Sequence, residues 1–430
     1  MALGLLRAGS RTVDRPSRRD RARSGDRPRR QRGVALVCLV VAGTQTTWGL
    51  VIPVLPIYVT SLGASAAVMG AAVAVFGLGR ILVNIPAGAA TQRLNHRAML
   101  VVGTALVALG TLATGYVDSV EQLLWMRFLT GLGGGIVVTT GQTMLSHTDP
   151  ERLGRTMSVL QAFQMAGGAL GPAIGGFLVG FGAGVPFIAC GAALALLALC
   201  AALFALPGKA AHSEATAVAT AGERGSAVWT RGLVAVSVVG FTIFFVRFGG
   251  QQFMFPVLAY EWAGLSPAVL GLFIAGSTAL NLLLVRPSGI LTDRWGRRRT
   301  VVAATLAVGI CTLGFLGSGS SWVFLAALLC TGVAMAFTGP STGAFLAESV
   351  PPDKRGTAVG IYRTAGDVAI LVGPLSLGWL IEHGHTASAV VLLAVITVVV
   401  AVVFAVLTRP PAPVVPAPVT RTTPDPKERP

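Results

Sequence analysis

An all-α membrane protein, with twelve transmembrane helices in two six-helix parallel repeats, is the fold class that three observations predict. The first is composition. Of 430 residues, 53% are hydrophobic and 12% charged, and the mean hydropathy is +0.73, far from the make-up of a soluble domain. The second is that apolar runs long enough to cross about 30 Å of hydrocarbon recur along the chain. They fall at 34–60, 66–90, 98–117, 122–146, 155–181, 185–206, 231–260, 267–291, 300–318, 321–348, 356–381 and 387–407. The third is an internal repeat. A shift of 202 residues lays Pro150-Glu-Arg-Leu-Gly154 on Pro352-Asp-Lys-Arg-Gly356, Gly171-Pro172 on Gly373-Pro374 and Gly176 on Gly378. A shift of 201 lays Thr130-Gly131 on Thr331-Gly332 and Gly88 on Gly289. Loop signatures and helix glycines thus return in the same order after six spans, so the halves share one orientation and a cavity is expected between them.

The parts in order are an Arg-rich tail (1–33), a six-helix half (34–206), a linker rich in Ala, Ser, Gly and Thr (207–230), a second half (231–407) and a Pro/Thr-rich tail (408–430). Both tails read as disordered, and the first lacks the pattern of a cleavable signal. The net charge of +16 does not point to nucleic acid, because of where it sits. Apart from Arg80, Arg127, Arg247, Arg286 and Arg363, every Lys and Arg falls in the tails or in loops of one side. Loops of the other side hold Asp118, Glu121, Glu261 and Glu382. Positive charge marks the cytoplasmic side, so both termini are expected in the cytoplasm and the protein in the inner membrane. The expected partners are the lipid bilayer and a small molecule, with no nucleic acid, and the chain is expected to be a monomer. Cys38, Cys190, Cys200, Cys311 and Cys330 are scattered through the spans and read as small apolar side chains without metal spacing.

Along the spans, polar residues at mid-depth stand out. Span 1 carries Gln45 and Trp48 on one face with Ile52, a band that suits either a ligand cavity or helix–helix hydrogen bonding. Span 2 holds Arg80 and Asn84 one turn apart. An arginine within a span costs at least ~2.5 kcal/mol on insertion scales, so each should face a partner or water. Span 4 sets Arg127 before Gly131 and Gly133-Gly-Gly135. With no strand ahead of them these glycines serve helix packing, not a nucleotide. Span 5 holds Gln161 and Gln164, then Gly167-Gly-Ala-Leu-Gly171-Pro172-Ala-Ile-Gly175-Gly176. In water that stretch would be a loop; in lipid, where unpaired backbone is costly, it is a helix held by neighbours. Its glycines at four-residue spacing give a face for close approach, and Pro172 permits a kink. Span 7 carries Arg247, Gln251 and Gln252 before Pro256, and span 11 carries Arg363 and Asp367 one turn apart.

The loop after span 8 reads Gly289-x-x-x-Asp293-Arg294-x-Gly296-Arg297-Arg298. With the two six-span halves, it resembles the major facilitator superfamily over nearly the whole chain. Here Gly289 is expected to allow close packing and Gly296 a tight turn. Asp293 is expected to cap a helix or pair with an arginine, as a contact that breaks when the cytoplasmic side opens. The first-half copy, Gly88 to Arg97 with Arg93, departs from the pattern: Gln92 replaces the aspartate, and Asn95, which tolerates a left-handed backbone, replaces the glycine. The span 5 glycines resemble a motif of twelve-span drug:proton antiporters, and Arg127 resembles a fourth-span arginine implicated in proton coupling.

The resemblance implies a secondary transporter that exports drug-like or amphiphilic small molecules by proton antiport and alternating access. An uptake symporter or facilitator for a specific metabolite is the alternative. No enzyme is expected, since there is no Ser/His/Asp set or metal-ligand spacing. No cofactor or metal is expected either, the proton gradient being the driving force. Asp367, about 17 Å into its span at 1.5 Å per residue, is the one carboxylate deep in the membrane. Its charge there is costly unless a cation pairs with it, and a carboxylate that alternates between a proton and an arginine is what coupling needs. Arg363 and Arg80 are the candidate partners, since spans 2 and 11 face each other in the superfamily. Gln45, Trp48, Asn84, Gln161, Gln164, Arg247, Gln251 and Gln252 are the candidate cavity residues. As read, that cavity is apolar with amides and few charges, suited to neutral or weakly cationic compounds.

Overall fold

A computed structural model describes residues 18–91, 93–146, 153–203, 230–351 and 355–408. Among the described residues, twelve helices are long and apolar enough to cross a membrane. They are α1 (Arg18–Ser61), α2 (Ala66–Ala90), α3 (His96–Thr114), α4 (Val120–Ser146), α5 (Leu153–Leu178), α6 (Val185–Leu203), α7 (Arg231–Glu261), α8 (Pro267–Trp295), α9 (Arg297–Leu313), α10 (Ser321–Ser349), α11 (Arg355–Glu382) and α12 (Thr386–Leu407). Each lies within a few residues of its expected span except at the start of α1. That helix begins at Arg18, inside the stretch read as a disordered tail, because arginine is a good helix former that extends the apolar span behind it. Most of the linker, the outer part of each tail and Gln92 lie outside the described residues.

The buried side chains show how the halves meet. One core is shared by both halves. It joins Leu50, Val54 and Tyr58 of α1 and Met69 and Val73 of α2 to Phe253 and Leu258 of α7, and to Leu377 and Ile381 of α11. All of these lie toward the ends of the helices away from the basic loops. At the basic end the cores are separate. Val37, Val41, Leu100, Val137 and Leu160 pack within the first half, and Leu233, Val236, Val301, Leu346 and Phe404 within the second. The molecule is therefore closed at the far end and parted at the basic end.

Glycines make the closed contact, with the same logic in each half. On α5, Gly167, Gly171 and Gly175 lie against the backbone of α1 at Ala42, Thr46 and Leu50. On α11, Gly373 lies against Gly249 of α7. The next faces turn outward to the other half. Pro172 O and Gly176 meet Gly271 and Pro267 of α8, and Pro374 O and Gly378 meet Gly70 and Ala66 of α2. Gly70 and Gly271 are related by the shift of 201 read in the sequence, so the repeat is a repeat of contacts.

Hydrogen bonds complete the closed end. Tyr260 Oη donates to Pro53 O at 2.5 Å. Ala67 N, in the first turn of α2, donates to Glu382 Oε2 of α11 at 2.9 Å. Ser65, the N-cap residue of α2, gives that helix no side-chain cap. A carboxylate from the other half thus satisfies a free N–H at a helix N-terminus. Glu382→Ala is expected to loosen this end. The readout is the rate at which a membrane-impermeant thiol reagent modifies Met69→Cys, which should rise severalfold; an unchanged rate would mean that the bond does not hold the halves.

At the basic end three expectations change. Gly88 and Gly289 have no described atom within 4 Å of where a Cβ would sit, because the parted halves leave these faces open. Close packing at Gly289 is absent in this conformation. Asp293 is exposed and, among the described residues, has no ion pair; Arg297 instead pairs with Glu348 of α10. The two turns also differ. Gly296 takes φ 88°, the left-handed region that glycine tolerates. Asn95 stays extended at φ −66° and accepts from Arg97 N at 2.9 Å, capping α3. Capping, not left-handed tolerance, is what the asparagine supplies.

Candidate binding cavity

Aromatic rings cross from one half to the other at mid-depth. Phe76 of α2 and Trp48 of α1 lie 5.5 Å apart, Trp48 and Phe248 of α7 stack at 5.4 Å, and Phe248 and Phe244 stack at 6.0 Å. Trp48 Nε1 donates to Gln252 Oε1 at 3.1 Å, a further tie between the halves. Two guanidiniums flank this ladder on the first-half side. Arg80 lies 5.1 Å from the Trp48 ring and Arg127 4.9 Å from the Phe76 ring, within range of cation–π attraction. Thr44, Gln45, Trp48, Phe76, Arg80, Arg127, Thr130 and Gly134 line one recess here.

Helix geometry places these groups. Phe76 and Arg80, and Phe244 and Phe248, are one turn apart and share a face. Gly131 lies against Phe76 O, and Gly135 against Val83 and Asn84, so the glycines of α4 bring Arg127 close to α2. In α7, residues Val246–Met254 form a π-helix. Pro256 has no N–H to give to the carbonyl four residues earlier, which favours a locally wider turn. Arg247 and Gln252 consequently lie about one wide turn apart.

Asp367 is half-buried near the middle of α11, within electrostatic reach of Arg80 across the boundary and Arg363 on its own helix. Arg80 also feels Arg247 and Arg363. Arg247 and Arg363 are exposed. Arg127 is 4% exposed, and among the described residues its Nε has no hydrogen-bond partner.

The structure brings Gln45, Trp48, Arg80 and Arg127 into one recess, with Gln252 bonded to Trp48 and Asn84 beside Gly135. Gln251 is half-buried in the π-helix. Gln161 is exposed and Gln164 half-buried, and neither lines the recess; the glycines of α5 fix its rotation by packing on α1. Arg93, Asp293 and Arg294 are exposed at the basic end, and Arg286 is exposed away from the recess. The expectation of few charges is corrected. Two arginines line the recess, and Asp367, Arg247 and Arg363 lie within electrostatic reach of Arg80.

Twelve helices in two repeated halves, joined at one end and parted at the other, are the architecture of a membrane transporter. A family model described as Major Facilitator Superfamily matches residues 37–261 and 238–428, and the chain belongs to that superfamily. It is 23% identical to the uncharacterized MFS-type transporter MJ1560 of Methanocaldococcus jannaschii over 384 residues, covering 87% of this chain and 97% of that one. Identity is also 23% with multidrug resistance protein 2 of Bacillus subtilis over 343 residues, covering 78% and 85%. Among solved structures, a bacterial homolog of the human lysosomal transporter Spinster, inward-facing and unoccupied, superposes with TM-score 0.70 at 15% identity. The match covers 88% of this chain and 96% of that chain and shows the fold.

Proposed function

We propose that the protein exports small amphiphilic molecules across the cytoplasmic membrane by proton antiport and alternating access. The observation that carries this reading is Asp367, a half-buried carboxylate mid-way along α11 within electrostatic reach of Arg80 and Arg363. Protonation of Asp367 releases Arg80 from attraction across the boundary of the halves, and ionisation restores it. That is a charge change at the surface along which the halves move. With the basic loops in the cytoplasm, the parted end is the one from which an exported molecule enters. The Gly-Pro element of α5 at the α8 contact and the likeness to a multidrug resistance protein support export.

Everted vesicles acidified inside test this reading with a panel of fluorescent anionic, neutral and cationic compounds. Accumulation of at least one compound is expected, collapsing when a protonophore removes the gradient. Gradient-driven uptake confined to right-side-out vesicles would instead establish symport and overturn export.

A further inference from the structure

The charges of the cavity are unbalanced. Arg80 and Arg127 line the recess, and Arg247 and Arg363 act on Arg80 from the second half. Against these four guanidiniums stands one carboxylate, Asp367. Arg127 bears the largest cost: it is 4% exposed to solvent, its Nε has no hydrogen-bond partner among the described residues, and its guanidinium faces the Phe76 ring at 4.9 Å. Cation–π attraction amounts to about 0.5–2 kcal/mol, well below what a desolvated guanidinium needs. A carboxylate or sulfonate would offer it a charge-assisted, bidentate hydrogen bond. Beside it, Trp48 presents a half-buried ring between Phe76 and Phe248, a surface for a planar apolar body.

We propose that the substrate is an aromatic organic anion, its acid group held by Arg80 and Arg127 and its ring laid against Trp48 and Phe76. This rests on the transporter reading and narrows its substrate class. It also explains why a chain with so few charges keeps guanidiniums in spans: one carboxylate neutralises at most one of them.

The test uses three probes of one shape and different charge: 2-naphthoate, 2-naphthamide and 2-naphthylmethylammonium. Calorimetric titration of the purified full-length protein in nanodiscs should find the carboxylate bound at least tenfold more tightly than the amide, and the ammonium weakest. Arg127→Gln and Arg80→Gln should each remove that preference, and Arg286→Gln, outside the recess, should leave it intact. A second measurement guards against misfolded variants. Without ligand, Arg127→Gln should melt at or above the wild-type temperature, since an unpartnered buried charge is gone; with naphthoate only the wild type should gain. Equal affinity for the three probes, preference for the ammonium, or a lower melting temperature of Arg127→Gln with unchanged naphthoate affinity would overturn the proposal. Counterflow in proteoliposomes separates the two readings. Transport of the ammonium without carboxylate binding retires the anion and keeps the export reading, whereas carboxylate binding without counterflow of any probe keeps the anion site and retires export through it.

Discussion

Asp367→Asn is expected to abolish gradient-driven accumulation, by at least tenfold, while leaving counterflow of substrate between equal pH compartments within about twofold of wild type. Asparagine keeps the size and hydrogen-bonding capacity of the side chain but cannot exchange a proton. Counterflow needs only that the loaded carrier change conformation, so it survives; net movement against a gradient needs the carboxylate to load and unload a proton in each cycle. Equal loss of both activities would mean a packing role. Stability gives a second reading. Removing the carboxylate leaves Arg80 facing Arg247 and Arg363 without compensation, and breaking a buried pair by one partner typically costs about 3–5 kcal/mol. Since Asp367 is only half-buried, water screens part of that cost. Asp367→Asn should therefore melt lower than wild type. Asp367→Asn/Arg80→Gln should recover the melting temperature without recovering coupling, a non-additivity expected of charges that interact and of no distant pair. If the single variant drives accumulation as well as wild type, Asp367 is not the coupling group.

Charges and glycines were the legible part of this molecule, for a physical reason. In a span, an arginine or aspartate is too costly to be incidental, so Arg80, Arg127 and Asp367 could be singled out before any fold was known. The Gly171/Gly373 and Gly176/Gly378 pairs were legible because close backbone approach leaves no room for a side chain in the first half and little in the second. The aromatic ladder was not. Phe76, Phe244 and Phe248 sit at the spacing that any buried helix face uses, and only beside Arg80, one turn from Phe76, does that spacing point to a site. The π-helix of α7 was hidden too, because a wide turn leaves no mark in hydropathy; Gly249-Gly250 and Pro256 were its only trace. Gln161 misled for the converse reason: an amide can be recognised in a span, but its face is set by where the glycines of α5 send the helix. The net charge of the cavity needed tertiary structure, since its arginines come from α2, α4, α7 and α11.

Leucine at Gly70 and Gly271 together is expected to stop transport entirely while leaving each half folded. A Cβ at Gly70 would overlap Pro374 O and come within 3.5 Å of Gly378 Cα. At Gly271 it would overlap Pro172 O and lie 3.3 Å from Gly176 Cα. These obstacles are backbone of the other half, which no rotamer change can clear. Such overpacking costs about 1–3 kcal/mol per site, and the price falls only on the conformer closed at this end. A combined cost near 3 kcal/mol shifts a two-state equilibrium by more than about 100-fold. The variant should therefore rest open at the far end. An impermeant thiol reagent applied from that side should modify Val73→Cys, buried in the shared core, many times faster than in the parent, and the basic end should become protected. Gly171→Leu is the contrast. Its neighbours, Thr46 O, Leu50 N and Gly49 of α1, belong to its own half in any conformer, so it should lower the melting temperature without moving accessibility from one side to the other. A double variant that melts like Gly171→Leu and shows no accessibility change would mean that the halves do not part along the glycine seam.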